Sequence, residues 1–144
     1  MTDAAPHRRS LSTVRVRYAE TDRMGVVYHT NYLIWCEIGR TDFIRGLGTS
    51  YAEIEDHGIR LAVADAAIRY LAPARYDDVV RIETRLERVR SRAITFAYEI
   101  DRIEPGPALR LASASTRLIA LDATGAPRTL PPDLLAALRS AVTV

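Results

Sequence analysis

The sequence is poor in the residues that build disulfide-rich, fibrous or membrane-spanning proteins. Cys36 is its one cysteine, which excludes an intramolecular disulfide framework and a zinc site made of several cysteines. Glycine and proline number 7 each, too few for a collagen-like chain. The apolar runs are a few residues long, far short of the ~20 that cross a bilayer. Residues 1–10 lack the apolar stretch of a secretory signal. We therefore expect a cytoplasmic protein with no membrane span.

Lysine is absent, so all 20 basic residues are arginine. A GC-rich genome explains this bias. An anionic ligand is a compatible second explanation, because guanidinium groups bind phosphate and carboxylate with paired hydrogen bonds. The net charge is only +2 at pH 7. Without a run of basic residues or a stacking motif, this mild excess does not point to nucleic acid.

The length of 144 residues, with 48% hydrophobic and 26% charged residues, indicates one globular domain. Residues 1–12 show no periodicity and predict a frayed N-terminal segment, which leaves residues 13–144 as the domain. Alternating apolar and polar residues predict a strand over residues 13–18. Apolar positions three and four apart predict a long helix over residues 31–47, which is apolar over most of its circumference and therefore expected to be buried. A short helix is predicted over residues 50–57.

After Gly58 the apolar positions follow a period of two, as in strands with one buried face. The predicted strands cover residues 60–71, 80–87, 94–100 and 109–121, and a short helix opens at Pro131. Hairpin-spaced strands that follow helices indicate an α+β fold. We expect a curled antiparallel sheet wrapped around the long helix, with a sheet edge that pairs with a second subunit.

A candidate site lies in residues 18–32, Y-A-E-T-D-R-M-G-V-V-Y-H-T-N-Y, at the start of the long helix. The first N–H groups of that helix, around His29, Thr30 and Asn31, lack intrahelical acceptors and attract negative charge. Asp22 precedes them on a loop that Gly25 allows to turn back. A carboxylate beside aimed N–H donors suits attack on an acyl carbon. The alternative for Asp22 is a turn or cap residue.

The stretch from Asp22 to Tyr32 closely resembles the D-x-x-G-V-V-Y-H-x-x-Y signature of hotdog-fold acyl-CoA thioesterases, in the branch of YbgC-like and 4-hydroxybenzoyl-CoA thioesterases. Residues 37–42, 70–78 and 129–138 are similar to further stretches of that family. The resemblance implies a hotdog fold of five strands around a central helix and hydrolysis of acyl-CoA without a metal or other cofactor. It also implies edge-to-edge dimers, often joined into homotetramers, with active sites between subunits.

The resemblance also implies roles for single residues. Asp22 matches the catalytic carboxylate, as nucleophile or general base. His29 matches the position whose backbone N–H polarises the thioester carbonyl, and its imidazole is implicated in YbgC-like members. Tyr28 is expected to line the acyl site, or to be a core aromatic. Glu37 matches an acidic position near the site, or is a salt-bridge partner of Arg40 or Arg17.

A basic turn, Arg90-Ser91-Arg92, matches a turn that contacts coenzyme A phosphates in some relatives, and Arg128 is expected to join it. The alternative is a solvated turn. Cys36 is interpreted as a small buried hydrophobe rather than a nucleophile, because it lies in mid-helix without an evident base.

Other functions remain open at this point. They are an acyl-carrier-protein thioesterase, a non-catalytic module that binds acyl-CoA, and a hotdog dehydratase, whose His and acidic residue come from opposing subunits. The acyl chain, the choice between dimer and tetramer, and the exact role of Asp22 are also open.

Overall fold

Five strands and three α-helices make up residues 8–142, which are the residues that the computed structural model describes. In chain order the elements are β1 (Arg9–Arg15), α1 (Asn31–Gly46), α2 (Tyr51–Asp56), β2 (Arg60–Tyr70), β3 (Val79–Val89), β4 (Ala93–Glu104), β5 (Leu109–Leu121) and α3 (Pro132–Ala141). The strands form one sheet in the order β1-β3-β4-β5-β2, and all neighbours are antiparallel. The predicted α+β architecture, a curled sheet around a long helix, is confirmed.

The first strand begins earlier than its periodicity predicts. β1 starts at Arg9 and pairs with β3, so residues 9–12 belong to the sheet and the expectation that they are frayed is wrong. Its inward residue there is Ser12, which is buried and donates a 2.6 Å hydrogen bond from Oγ to Asp42 of α1. Because the inward residue is a serine, the sequence shows no alternation of apolar and polar residues at the start of this strand. The strand also ends at Arg15, because Tyr18–Glu20 forms a 3₁₀ turn. Residues 1–7 lie outside the described part.

One face of α1 packs on β1, β3 and β4. The buried residues of the helix are Tyr32, Trp35, Cys36, Gly39, Phe43 and Ile44. Its other face is open, with Leu33 and Ile34 39% and 47% exposed. The expectation that the helix is buried nearly all round is therefore wrong for this single chain, because a single sheet covers only one side of a helix.

The close approach of α1 to the sheet depends on Gly39. A Cβ there would overlap Thr84 Oγ1 and lie 3.0 Å from Cγ2 of Ile82. The predicted inward positions of β3 are confirmed, since Val80, Ile82, Thr84 and Leu86 are all fully buried. The middle of α1 therefore lies directly against the middle of β3.

The edge strand β2 is mostly exposed, with Val63 49% and Tyr70 46% accessible. No helix within residues 8–142 has the length and apolar character needed to cross a membrane.

Candidate active site

Asp22 holds its own turn together. Its N–H donates to Val26 O at 2.8 Å, and its carbonyl accepts from Gly25 N at 3.0 Å. Gly25 has φ 79°, a conformation that glycine adopts without strain. One carboxylate oxygen, Oδ1, accepts from Met24 N at 2.8 Å, as the turn-residue alternative expects. The other oxygen, Oδ2, has no hydrogen bond within residues 8–142, so the turn orients a carboxylate that keeps one oxygen available.

The backbone at the start of α1 presents two unpaired donors. Tyr28 N donates to Glu20 O at 2.8 Å, and Asn31 N donates to Tyr28 O at 2.9 Å. Within the described residues, the N–H groups of His29 and Thr30 have no acceptor. The N–H of Asn31, which we expected to be a free donor, is therefore already bonded. The two remaining N–H groups lie at the positive end of the helix dipole, where a developing oxyanion is stabilised.

A buried carboxylate that sequence reasoning missed, Glu20, connects the loop to the helix. It is 6% exposed and accepts hydrogen bonds from Arg17 N at 2.8 Å and from Trp35 Nε1 at 3.1 Å. Its carbonyl accepts from Tyr28 N and from Asn31 Nδ2, both at 2.8 Å. Glu20 is the third residue of the 3₁₀ turn and accepts from the N–H of the N-cap residue Arg17, as the glutamate of a capping box does. Because Arg17 is not the serine or threonine of that motif, no signal in the sequence points to Glu20. Trp35 is therefore a core residue with a structural hydrogen bond.

An open cleft lies beside the unpaired donors. Tyr70, the last residue of β2, donates from Oη to His29 O at 2.8 Å, and its ring stands edge-on to those of His29 and Tyr32. The cleft is lined by Val27, His29, Tyr32, Tyr70, Leu71, Ala72 and Pro73. Tyr70 and Leu71 remain 46% and 54% exposed, so in one chain the cleft lacks a wall. Tyr70 opens the stretch 70–78 that resembles the family, but sequence reasoning gave it no role, because its partner is 41 residues away.

Tyr28 lies outside that cleft lining. Its ring packs at 4.6 Å, centroid to centroid, against the ring of His29 and is 47% exposed. The core-aromatic alternative for Tyr28 is therefore wrong.

Glu37 lies on the exposed face of α1, about 10 Å along the helix axis from Thr30. It borders a shallow groove with Ile38 and Arg45. Within residues 8–142 it forms no salt bridge. Burial lowers the pKa of Arg40, and nearby groups that include the Glu37 carboxylate raise it, so Glu37 acts on Arg40 without a direct ion pair. Arg17, the other candidate partner, lies beside Glu20 instead.

The predicted basic turn is assembled, but far from Asp22. Leu130 N donates to Ser91 O at 2.8 Å, which brings the segment of Arg128 beside Arg90 and Arg92. This turn joins the end of β3 to β4, whereas the Asp22 loop lies at the start of β3, where Val16 N bonds Asp78 O. The length of β3 separates the two ends by about 30 Å. Within one subunit the structure does not bring them together.

Cys36 is fully buried, and burial raises the pKa of its thiol to about 12, an effect that the nearby Arg40 guanidinium opposes. At neutral pH it is protonated, which confirms its interpretation as a buried hydrophobe. Within residues 8–142, no three His, Cys, Asp or Glu side chains gather into a metal-binding set.

A curled five-stranded antiparallel sheet around one long helix is the hotdog fold. Here it carries a loop carboxylate and unpaired N–H groups at the helix start, which together suit acyl transfer.

Comparison with known proteins gives the family. Residues 16–138 match the model of the thioesterase-like superfamily, and the chain belongs to it. YneP of Bacillus subtilis is 41% identical over 91 residues, which cover 63% of this chain and 66% of YneP, just under two thirds. The acyl-CoA thioester hydrolase YbgC of Escherichia coli O157:H7 is 32% identical over 85% of this chain and 90% of its own. The DHNA-CoA thioesterase of Staphylococcus aureus superposes with a TM-score of 0.85 at 35% identity, over 91% of this chain and 89% of its own.

Proposed function

We propose that the protein hydrolyses acyl-CoA thioesters to the free acid and coenzyme A. The observation that carries the proposal is the pair of unpaired N–H groups at His29 and Thr30 beside the loop of Asp22. The names of the E. coli and S. aureus relatives support a coenzyme A thioester as the substrate.

In the proposed reaction the thioester oxygen accepts hydrogen bonds from His29 N and Thr30 N. Asp22 then acts in one of two ways. As a nucleophile, Oδ2 attacks the acyl carbon and expels the thiolate, and water hydrolyses the resulting mixed anhydride to regenerate the carboxylate. As a general base, the carboxylate takes a proton from the water that attacks the acyl carbon, and the proton passes to the leaving thiolate.

The remaining site residues have supporting roles in this proposal. The ring of His29, braced by Tyr28, borders the cleft and contacts the acyl group. Tyr28 lines the acyl site where a second subunit closes it. Glu37 reaches the site across that same subunit contact, since it lies on the exposed face of α1.

The proposed assembly is a homodimer, two of which can form a tetramer. Support comes from the edge strand β2, whose backbone can pair with a second copy, and from the apolar exposed face of α1, which includes Leu33 and Ile34. Arg90, Ser91, Arg92 and Arg128 then bind coenzyme A phosphates in the site of a neighbouring subunit. Each subunit is proposed to be a single domain that starts with β1, in the cytoplasm, where its free Cys36 stays reduced.

The test is a thiol-release assay with short, long and aromatic acyl-CoAs. Asp22→Asn keeps the side-chain size and should lower kcat by at least about 100-fold. His29→Ala keeps the backbone N–H and should retain more activity than Asp22→Asn, because only the ring is lost. Asp56→Asn, an exposed aspartate of α2, is the matched control and should turn over normally. Full activity of Asp22→Asn would refute the mechanism, and a folded wild type that cleaves no acyl-CoA would refute the substrate.

A further inference from the structure

Arg40, in the third turn of α1, is half-buried and forms no salt bridge within residues 8–142. Its guanidinium lies near the hydroxyls of Tyr98 and Tyr51. Glu37, one turn earlier, acts on it through space without pairing with it. A positive charge that is partly removed from water is costly unless an acceptor compensates it. The proposed mechanism does not use Arg40, so its guanidinium has no assigned partner.

The hydroxyl of Tyr51 adds a second donor beside Arg40. Its oxygen is buried and has no hydrogen-bond partner within residues 8–142. Burial raises the pKa of Tyr51 to about 12, an effect that the Arg40 guanidinium opposes, so the hydroxyl keeps its proton at neutral pH. Tyr98 differs, because its hydroxyl lies 2.6 Å from Thr116 Oγ1 and is hydrogen-bonded to it. Guanidinium N–H groups and a phenol O–H that no carboxylate has bonded form a donor set suited to a carboxylate ligand.

A row of side chains on α1 connects this donor set with the candidate active site. Tyr32, Cys36 and Arg40 are four residues apart and therefore share one face of the helix. At the near end of the row, the ring of Tyr32 meets that of Tyr70 in the cleft, with centroids 5.2 Å apart. At the far end, Arg40 lies about 15 Å along the helix axis from Thr30, one of the two unpaired donors.

A second row, on β2, leads to the same place. Tyr70, Ile68 and Ala66 alternate along the strand and face the concave side of the sheet. Ala66 is the cross-strand neighbour of Thr116, whose hydroxyl bonds that of Tyr98. Ile68 is half-buried and Ala66 is exposed, because α1 packs on β1, β3 and β4 and leaves this row uncovered. The distance from Tyr70 to Ala66 is about 13 Å along the strand, which agrees with the distance measured along the helix.

We propose that Arg40 and Tyr51 bind a carboxylate at the far end of the acyl group, so that the preferred substrates are coenzyme A monothioesters of dicarboxylic acids. This inference rests on the proposed function. One hydrogen bond at each end takes about 3 Å, so a path of about 13–15 Å holds an extended acyl chain of roughly six to eight carbons. Ile68 and Ala66 provide the apolar wall along which the methylene groups lie.

The test compares suberyl-CoA, the monothioester of an eight-carbon dicarboxylic acid, with octanoyl-CoA, which has the same length and no terminal carboxylate. The wild type should show a kcat/KM about tenfold higher for suberyl-CoA. Arg40→Gln should remove this preference through a higher KM for suberyl-CoA, because the terminal carboxylate contributes to binding and not to the chemical step. Tyr51→Phe should lower the preference about threefold without loss of a hydrogen bond of the native fold.

Two exposed positions supply matched controls. Arg139→Gln removes an arginine of α3, and Tyr76→Phe removes the hydroxyl of a tyrosine that is 56% exposed. Both variants should keep the preference of the wild type. Calorimetric titration of the two thioesters into Asp22→Asn measures binding without turnover. Arg40→Gln in that background should bind suberyl-CoA about tenfold more weakly.

Three results would overturn the inference. The first is an equal kcat/KM of the wild type for the two thioesters. The second is an equal loss of both activities in Arg40→Gln and in Tyr51→Phe, which would show a structural role. The third is an Arg40→Gln variant that is monomeric in light scattering while Tyr51→Phe keeps the preference, which would assign Arg40 to the subunit contact. If the wild type cleaves neither thioester, the proposed function fails by itself, and the titration still decides the carboxylate site.

Discussion

Trp35 Nε1 donates a hydrogen bond of 3.1 Å to Oε2 of the buried Glu20. The other oxygen of Glu20 accepts from Arg17 N at 2.8 Å. This carboxylate therefore ties the loop that precedes Asp22 to the second turn of α1. The orientation of the candidate carboxylate relative to the unpaired donors at His29 depends on it.

Glu20→Gln keeps the side-chain volume but replaces one of the two acceptor oxygens with an NH₂ group. Either Arg17 N or Trp35 Nε1 then loses its acceptor. We expect a loss of about 1–3 kcal/mol in the free energy of unfolding, because a buried donor is left unpaired. We also expect a lower kcat, because the Asp22 loop loses its anchor. Urea unfolding and the thiol-release assay measure the two effects. Glu55→Gln, an exposed glutamate of α2, is the control, and equal stability of the two variants would contradict this role.

Gly39→Ala should destabilise the protein, although alanine in place of glycine favours an isolated helix by about 1 kcal/mol. The added Cβ overlaps Thr84 Oγ1, so either the Thr84 side chain must rotate or α1 must move away from β3. The expected net loss is about 1–3 kcal/mol, measured by urea unfolding. Gly39→Ala/Thr84→Ala should recover part of that loss relative to Thr84→Ala alone. No recovery would show that contacts other than Thr84 set the helix-to-sheet distance.

Alkaline pH should destabilise the fold. Burial raises the pKa of Cys36 and that of Tyr51 each to about 12. In the unfolded chain the pKa of a cysteine thiol is about 8.5 and that of a tyrosine hydroxyl is about 10. The unfolded state thus loses protons first, so the stability is fully present below pH ~8.5 and falls as pH rises towards about 12. Urea unfolding from pH 7 to 11 measures the slope. In Cys36→Ala the free energy of unfolding should depend less on pH at the lower end of this range, where the thiol of the unfolded chain titrates. An unchanged pH dependence in that variant would show that other groups cause the effect.

Ile34→Glu tests the proposed subunit contact. Ile34 is 47% exposed in one chain, so the change should alter the stability of the isolated subunit by less than about 0.5 kcal/mol. In a dimer the glutamate would be a buried, unpaired charge, which should dissociate the subunits. Light scattering should then give the monomer mass of 16.1 kDa for the variant and a multiple of it for the wild type. Activity should fall with the dimer. A conservative Ile34→Val variant should remain associated, and a wild type that is monomeric at assay concentration would contradict the assembly.

The elements themselves could be predicted from local pattern. The three- and four-residue spacing located α1, and the period of two located the inward residues of β3. The stretch from Asp22 to His29 identified the candidate site by resemblance. Such signals are short-range, because helix and strand periodicity and loop motifs each span only a few residues.

Other features were decided by the tertiary structure, because they depend on elements distant in the chain. The contact of Tyr70 with His29 joins residues 41 apart. The inward Ser12 of β1 is satisfied by Asp42 of the helix. The open face of α1 reflects a sheet that covers one side, and the separation of Asp22 from Arg92 reflects the length and direction of β3. The periodicity of the sequence indicates which side chains of one element are buried. It does not indicate which residues of other elements they contact, because burial and side-chain hydrogen bonds form between elements that are distant in the chain.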